Sequence, residues 1–127
     1  MERGYLKLTV YQKAFKLAME IFELTKSFPK EERYSLTDQI RRSPRAVASA
    51  VAESYRKRQY EAYFVNKVSD GDMENTETQT WLDFAYCCKY VIKSKYDELM
   101  DESIQVGKML NHMIEHPEKY RRKSNYA

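Results

Sequence analysis

Glycine, proline and cysteine are scarce in this chain of 127 residues, which contains 3 Gly, 3 Pro and 2 Cys. So few turn-forming residues disfavour β-sandwich, β-barrel and dinucleotide-binding folds. The two cysteines, Cys87 and Cys88, are adjacent and therefore provide neither a disulfide framework nor spaced zinc ligands. No run approaches the roughly 18 apolar residues of a membrane span, and the first residues lack the apolar stretch of a signal peptide. We therefore expect a small, reduced, cytoplasmic, all-helical domain with no membrane partner.

Charged residues are abundant, but their two signs are unevenly distributed. The formal net charge is only +3. Residues 1–69 contain 14 basic and 8 acidic side chains (net +6), residues 70–118 contain 4 and 11 (net −7), and residues 119–127 contain 4 and none (net +4). Because of this segregation, the chain is able to attract its own copies or a polyanion.

Apolar residues that recur at intervals of three and four predict four helices. The first opens at Thr9, with Gln12 at the spacing of a capping box, and closes at Pro29. The third runs from about 60 to 91, and its inward positions include Cys88. The remaining inward positions of that helix are Phe64, Val68, Gly71, Thr78, Trp81 and Ala85.

The second helix contains a proline, which costs about 3 kcal/mol inside a helix but little at its first position. Ser43 as the cap and Pro44 as the first residue are able to restart the helix there. The sequence therefore predicts either two segments, 35–42 and 44–56, or one helix that is kinked or broken near Pro44.

The fourth helix opens at Ser94 and ends at Pro117. Helices of about 20 residues span about 30 Å and pack as an antiparallel up-down four-helix bundle. We expect a single domain over residues 1–127, with loose ends at about 1–7 and 118–127.

One motif has the spacing of metal ligands. His112, Glu115 and His116 match H-x-x-E-H, the inverted zinc-protease motif. A catalytic zinc site needs a further protein ligand, and no second ligand motif accompanies this one. Ferritin-like di-iron bundles use Glu-x-x-His pairs, and the chain contains none. The sequence therefore predicts no metal site.

Signatures of a nucleophile or of a phosphate-binding loop are missing as well. The glycines are scattered singly, so no glycine-rich loop exists to cradle a phosphate. Cys87 and Cys88 have no histidine nearby in the sequence, and we interpret them as small core residues. The sequence therefore predicts a protein that is not an enzyme and has no cofactor.

Acidic residues crowd the third helix, where Glu74 and Glu77 lie three residues apart on one face. Glu53 stands alone among the basic residues between positions 41 and 58. We interpret these three glutamates as ion-pair or interface residues that meet the basic side chains of the second helix, either within one chain or between copies.

Basic residues form three clusters, which lie on the second helix, in the turn after it and in the carboxyl-terminal tail. Arginine suits phosphate oxygens, and Tyr55 and Tyr60 beside the second cluster are able to stack on unpaired bases. The candidate nucleic-acid-binding residues are Arg41, Arg42, Arg45, Arg56, Lys57, Arg58, Lys119, Arg121, Arg122 and Lys123.

Several segments resemble the four-helix-bundle 23S rRNA intervening-sequence protein family over about residues 7–115. They are V-Y-Q-K-A at 10–14, F-P-K-E-E-R-Y-S-L-T at 28–37, Q-I-R-R-S at 39–43, V-A-E at 51–53, and Gly71 with Glu74 and Glu77. This chain departs from the family at Ala50, where Asn is common, and at Ser54, where Gly is common.

The resemblance implies a small bacterial cytoplasmic protein. Most members of the family have no assigned activity, and some are encoded inside insertions of ribosomal RNA genes. The family also resembles the accessory variability proteins of diversity-generating retroelements, which form pentameric rings and associate with reverse transcriptase and nucleic acid. We therefore expect a homo-oligomer, with a pentamer implied, that binds RNA or DNA and has a reverse-transcriptase-like partner. The alternative is a protein–protein scaffold whose arginines form subunit interfaces.

Overall fold

The computed structural model describes residues 3–122, and this part of the chain contains four α-helices and no strand. Three short 3-10 segments lie before α1, between α1 and α2, and after α4. The all-α four-helix bundle that the sequence predicts is confirmed. The helices are α1 Thr9–Thr25, α2 Leu36–Arg56, α3 Glu61–Cys87 and α4 Lys93–Glu115, and the 3-10 segments are Gly4–Lys7, Lys30–Glu32 and Pro117–Lys119.

The helices form a closed ring of contacts in which each helix packs against the next and α4 packs against α1. The apolar core consists of two clusters. One lies where α1 begins and α2 ends and includes Val10, Val51 and Phe64. The other lies where α1 ends and α2 begins and includes Ile21 and Ile40. The bundle therefore has two ends of different composition, and the first cluster supports the candidate site.

A layer of buried polar residues lies between the helices. The Ser43 and Thr78 hydroxyl oxygens lie 2.8 Å apart and join α2 to α3. Asn75 joins α3 to α4, because its amide donates to the Ser103 carbonyl oxygen at 2.9 Å and its Oδ1 accepts from the Ser103 hydroxyl at 2.9 Å. Hydrogen-bonded groups of this kind fix how the helices align, since leaving one of them unpaired is costly.

The second helix is one continuous element with Pro44 inside it, so the alternative of two segments is wrong. Pro44 and Ser43 are both buried, and the Ser43 hydroxyl meets Thr78 instead of capping a new helix. Apolar residues on both sides of the proline, Ile40 and Val47, are buried and hold the helix together through tertiary packing. A kink at Pro44 stays a prediction.

The helix termini differ from the sequence-based expectations at several places. α1 ends at Thr25, ahead of Pro29, and α4 begins at Lys93, with Ile92 and not Ser94 at its cap. Leu8, and not Thr9, is the cap of α1, and the Gln12 side chain donates to the Leu6 carbonyl oxygen at 2.8 Å, so the capping box is wrong. α3 ends at Cys87 and not near 91, because the chain turns through Lys89, whose φ is +65°.

Cys87 and Cys88 are exposed, so their interpretation as core residues is wrong. Asn75 and Leu82 are buried on α3, although neither was among the expected inward positions. α4 ends at Glu115, ahead of Pro117 as predicted.

Both ends of the described chain carry a short helical turn that packs on the bundle. Gly4–Lys7 contacts α1 and α2, and Pro117–Lys119 contacts α3 and α4. The looseness expected of the ends and the single-domain assignment stay predictions. Among residues 3–122, no helix combines the length and the apolarity needed to cross a membrane.

Candidate nucleic-acid interface

A cleft of about 470 Å³ lies at the end of the bundle where α2 ends, and we call it the basic cleft. Three separate parts of the chain form it: the 3-10 segment before α1, the last turn of α2 with the residues after it, and the segment that follows α4. Among residues 3–122, its lining has four cationic side chains and no acidic one. The lining residues are Gly4, Lys7, Tyr55, Arg56, Arg58 and Arg122.

Tyr55 lines the basic cleft and lies close to both Arg58 and Gly4. The Arg58 guanidinium lies over the Tyr55 ring, 4.0 Å from its centroid, and its Nη1 donates to the Tyr55 carbonyl oxygen at 2.9 Å. A Cβ added to Gly4 would lie only 2.8 Å from the Tyr55 ring. Glycine at position 4 therefore lets the amino-terminal backbone approach the ring and brings Lys7 to the cleft.

The segment after α4 reaches the basic cleft because Tyr120 anchors it. The Tyr120 ring stacks on Phe64 with centroids 5.8 Å apart, and its hydroxyl lies 2.9 Å from Nδ1 of His112. Burial raises the pKa of the Tyr120 phenol, so the phenol stays protonated at neutral pH. Beyond this anchor, the backbone N–H of Arg122 donates to the side-chain oxygen of Gln59.

The turn between α2 and α3 borders the basic cleft and adds cations and aromatic rings. The Lys57 ammonium lies 5.9 Å from the centroid of the Tyr60 ring. Arg121 forms an exposed ion pair with Glu61 at 3.1 Å. Tyr60 and Tyr63 are among the exposed large side chains, with 66% and 47% of their surface accessible. Cations and exposed rings therefore lie side by side at this end of the bundle.

Arg41 and Arg45 lie elsewhere, between α1 and α2, where they cover an aromatic ring. Their guanidinium carbons lie 4.8 Å and 5.5 Å from the centroid of Phe22. Nε of Arg41 also donates to the Thr25 hydroxyl at 2.7 Å. Both arginines therefore have intramolecular contacts on the flank of the bundle, away from the basic cleft.

Arg42 lies in a third place, in a groove of about 500 Å³ between α2 and α3. It forms ion pairs with Glu74 at 3.4 Å and with Glu77 at 3.6 Å. Glu53, in the same groove, pairs with Lys67 at 2.7 Å. Burial and the neighbouring Glu77 raise the pKa of Glu74, and Arg42 opposes that rise. The three glutamates thus have partners within their own chain.

The structure divides the sequence-predicted basic residues instead of placing them on one surface. The cluster after α2 and the carboxyl-terminal segment come together, whereas Arg41, Arg42 and Arg45 face two other regions. Lys119 is exposed in the last 3-10 segment, and Lys123 lies outside the described residues. Lys7 was missed, because a lone lysine carries no local sequence signal and only the antiparallel arrangement of the helices brings it to the basic cleft.

Two groups of side chains have some features of a metal site. The His112 and His116 rings lie 4.8 Å apart, but Nδ1 of His112 faces the Tyr120 hydroxyl. The second group, within residues 3–122, consists of Glu20, Glu98 and Glu102. Two lysines already pair with it, since Lys95 lies 3.4 Å from Glu20 and Lys16 lies 3.3 Å from Glu102. Ammonium groups therefore supply the positive charge among these carboxylates.

A protein family and a solved structure are similar to this chain. The sequence profile of the family described as 23S rRNA-intervening sequence protein matches residues 6–112. A solved structure from Bacteroides thetaiotaomicron, described as a protein with unknown function from the S23 ribosomal protein family, is 25% identical, with a TM-score of 0.75. The similarity covers 84% of this chain and 95% of that one. No curated protein matches the sequence.

Proposed function

The chain belongs to the 23S rRNA-intervening sequence protein family, and we propose that it is a non-enzymatic, homo-oligomeric protein that binds RNA or DNA at the basic cleft. One observation carries the proposal: four cations from three separate parts of the chain line one cleft, and no acidic side chain of the described residues 3–122 lines it with them. A nucleic-acid backbone carries one negative charge per phosphate, so this end of the bundle attracts it.

The geometry of the cations supports contact with phosphates. Arg58 is held against Tyr55, so its position is fixed before a ligand arrives. Lys7 and Arg122 are both exposed to solvent. An arginine fork binds phosphate oxygens in pairs, while a lysine acts as a point charge. We therefore assign phosphate contacts to Lys7, Arg56, Arg58 and Arg122, with Lys57 at the border of the cleft.

Homo-oligomerisation is the second part of the proposal and rests on the family resemblance. A pentamer, a reverse-transcriptase-like partner and a cytoplasmic location have the same basis. Repeating the basic cleft on several subunits converts weak single contacts into avidity for one long polyanion. A ring of copies therefore binds a long strand more tightly than a short one.

The second candidate function is a protein–protein scaffold. The observation that favours it is a groove of about 360 Å³ between α1 and α2, beside which Phe15 and Met19 are exposed. Arg45 lines the same groove. If this groove and Arg45 form a subunit interface, an Arg45→Ala variant loses mass in light scattering and keeps its RNA affinity.

Binding of a fluorescent RNA, followed by anisotropy at low salt, tests the main proposal. The cleft variant is Lys7→Ala/Arg122→Ala, since both side chains are exposed. The matched control is Lys26→Ala/Lys30→Ala, which removes the same charge at the opposite end of the bundle. We expect the cleft variant to lose at least tenfold in affinity, the order of one charge-assisted hydrogen bond. Equal losses in both variants would mean that only net charge matters.

A further inference from the structure

We propose that the nucleic acid bound at the basic cleft is single-stranded, with Tyr60 and Tyr63 stacking on unpaired bases while the cleft binds the adjoining phosphates. This inference rests on the proposed function, and it names the class of nucleic acid that the site selects. It depends on where the exposed rings lie, which the charge of the cleft alone does not determine.

Both tyrosines are exposed at the start of α3, which follows the turn that borders the basic cleft. Tyr60 is the residue that caps α3, and Tyr63 lies in the first turn of that helix. Both side chains therefore lie at the amino-terminal end of α3, next to the turn that joins it to α2. Their accessible fractions, 66% and 47%, are large for side chains of this size. Burying these rings against a partner therefore removes substantial apolar surface from water.

Two further tyrosines at this end of the bundle are already covered by neighbouring groups. Tyr55 lies under Arg58 and against the backbone of Gly4. Tyr120 stacks on Phe64. The sequence predicts stacking by Tyr55 and Tyr60. Because Tyr55 is covered and Tyr63 is exposed, the proposal gives this role to Tyr60 and Tyr63.

The rings and the cations are close enough to contact neighbouring nucleotides. Arg58 and Tyr60 are two residues apart, so their Cα atoms are separated by at most about 7.6 Å. The Lys57 ammonium lies 5.9 Å from the centre of the Tyr60 ring, which places a cation at the edge of the stacking surface. Gln59 accepts the backbone N–H of Arg122 and so holds the carboxyl-terminal segment to this turn. When a phosphate lies in the cleft, the base of the adjoining nucleotide therefore lies beside Tyr60.

Stacking requires a base whose face is free, and this requirement excludes an intact duplex. In a duplex each base already stacks on its neighbours, so a protein ring reaches a base face only after that base is unstacked. Single strands present their faces directly, and aromatic side chains bind them with little regard to sequence. Exposed rings beside a row of cations are the arrangement that single-strand-binding proteins use.

The test measures anisotropy with the full chain and two RNA probes, a single strand of about 12 nucleotides and a duplex with the same number of phosphates. The ring variant is Tyr60→Leu/Tyr63→Leu, which leaves the charge unchanged. Tyr34→Leu, an 85% exposed tyrosine at the opposite end, is the matched control. Tyr60→Phe/Tyr63→Phe keeps the rings and guards against an effect of misfolding, which circular dichroism monitors in every variant.

We expect the wild type to bind the single strand at least tenfold more tightly than the duplex. The leucine variant loses about tenfold in affinity for the single strand and keeps its affinity for the duplex. The phenylalanine variant and Tyr34→Leu bind both probes as tightly as the wild type does. Equal affinity for both probes, or a leucine variant as tight as the wild type, overturns the inference. If one of these results overturns the inference but the cleft variant Lys7→Ala/Arg122→Ala binds RNA more weakly than the wild type, the proposed function stands. A wild type that binds neither probe overturns both.

Discussion

The Arg58 guanidinium lies 4.0 Å from the centroid of the Tyr55 ring and donates a hydrogen bond to the Tyr55 carbonyl oxygen. The end of α2 and the turn after it are thereby joined through one arginine. Because this contact orders a long flexible side chain in advance, less conformational entropy is lost when a phosphate binds to it. The basic cleft is therefore organised by residues of the fold as well as by its charge.

The close approach of Gly4 to Tyr55 predicts that a single methyl group disturbs the cleft. In Gly4→Ala the new Cβ would lie 2.8 Å from the ring, so the ring or the amino-terminal segment has to move. We expect the free energy of unfolding to fall by about 1 kcal/mol, the lower end for overpacking, since Tyr55 is only partly buried. Urea denaturation measures this change. In a Tyr55→Ala background the added methyl has no such effect, and a persistent loss there would contradict the assignment.

Removal of the buried Asn75 amide from the polar layer is expected to reduce stability more than the Gly4→Ala substitution does. In Asn75→Ala the Ser103 hydroxyl and carbonyl oxygen each lose a partner inside the bundle. We expect a decrease of about 2 kcal/mol in the free energy of unfolding, because the Ser103 hydroxyl loses its buried acceptor and the Ser103 carbonyl oxygen loses a donor, although Gln79 still donates to the hydroxyl oxygen. Thr76→Ala is the matched control, since this exposed neighbour bonds only within its own helix. Similar losses in the two variants would rule out a special role for the layer.

The titration of Glu102, which lies beside Glu20, is expected to make the free energy of unfolding depend on pH. Burial and the nearby Glu20 raise the pKa of Glu102 above its usual 4.5, while Lys16 opposes this rise. The folded chain then binds a proton more tightly than the unfolded chain does. Stability from this group therefore falls as pH rises from the unfolded pKa through the folded one.

Glu102→Gln removes that titration. We expect the variant to be more stable than the wild type at pH 7, with the difference shrinking as the pH falls toward about 4.5. Thermal melts over this range, with Glu98→Gln as a more exposed control from the same group, provide the check. A difference that stays constant with pH would show that Glu102 does not titrate as described.

The ion pairs of Arg42 predict that this arginine acts within the fold. Arg42→Ala leaves Glu74 and Glu77 without their shared partner, and both carboxylates are partly exposed. We expect a loss of no more than about 1 kcal/mol in the free energy of unfolding, with RNA affinity unchanged. A loss of RNA affinity as large as that of the cleft variant would instead place Arg42 in the nucleic-acid interface.

Helix number and bundle class were predictable because apolar spacing and proline positions are local properties of the sequence. Asn75 was missed because its polar side chain interrupts the apolar spacing that identifies inward positions, although it is only 2% exposed. Pro44 left a broken and a kinked helix as alternatives, because local propensity ignores the packing of Ile40 and Val47 on either side of the proline.

The candidate site was only partly predictable. The basic residues after α2 and in the carboxyl-terminal segment form local clusters and could be found from the sequence. Lys7 joins them only through the antiparallel fold, and Arg42 is paired by glutamates of another helix. Contacts between residues distant in sequence decide which cations face a ligand, and neither composition nor spacing encodes them.

The salt dependence of RNA binding tests the central claim most directly. With a single-stranded probe between about 50 and 200 mM salt, the logarithm of the affinity falls linearly with the logarithm of salt concentration, by about 0.7 per phosphate contact. We predict that Lys7→Ala/Arg122→Ala lowers the magnitude of this slope by about 1.4, while Lys26→Ala/Lys30→Ala leaves it at the wild-type value. A cleft variant with the wild-type slope, or a wild-type protein that does not bind at the lowest salt, would contradict the account.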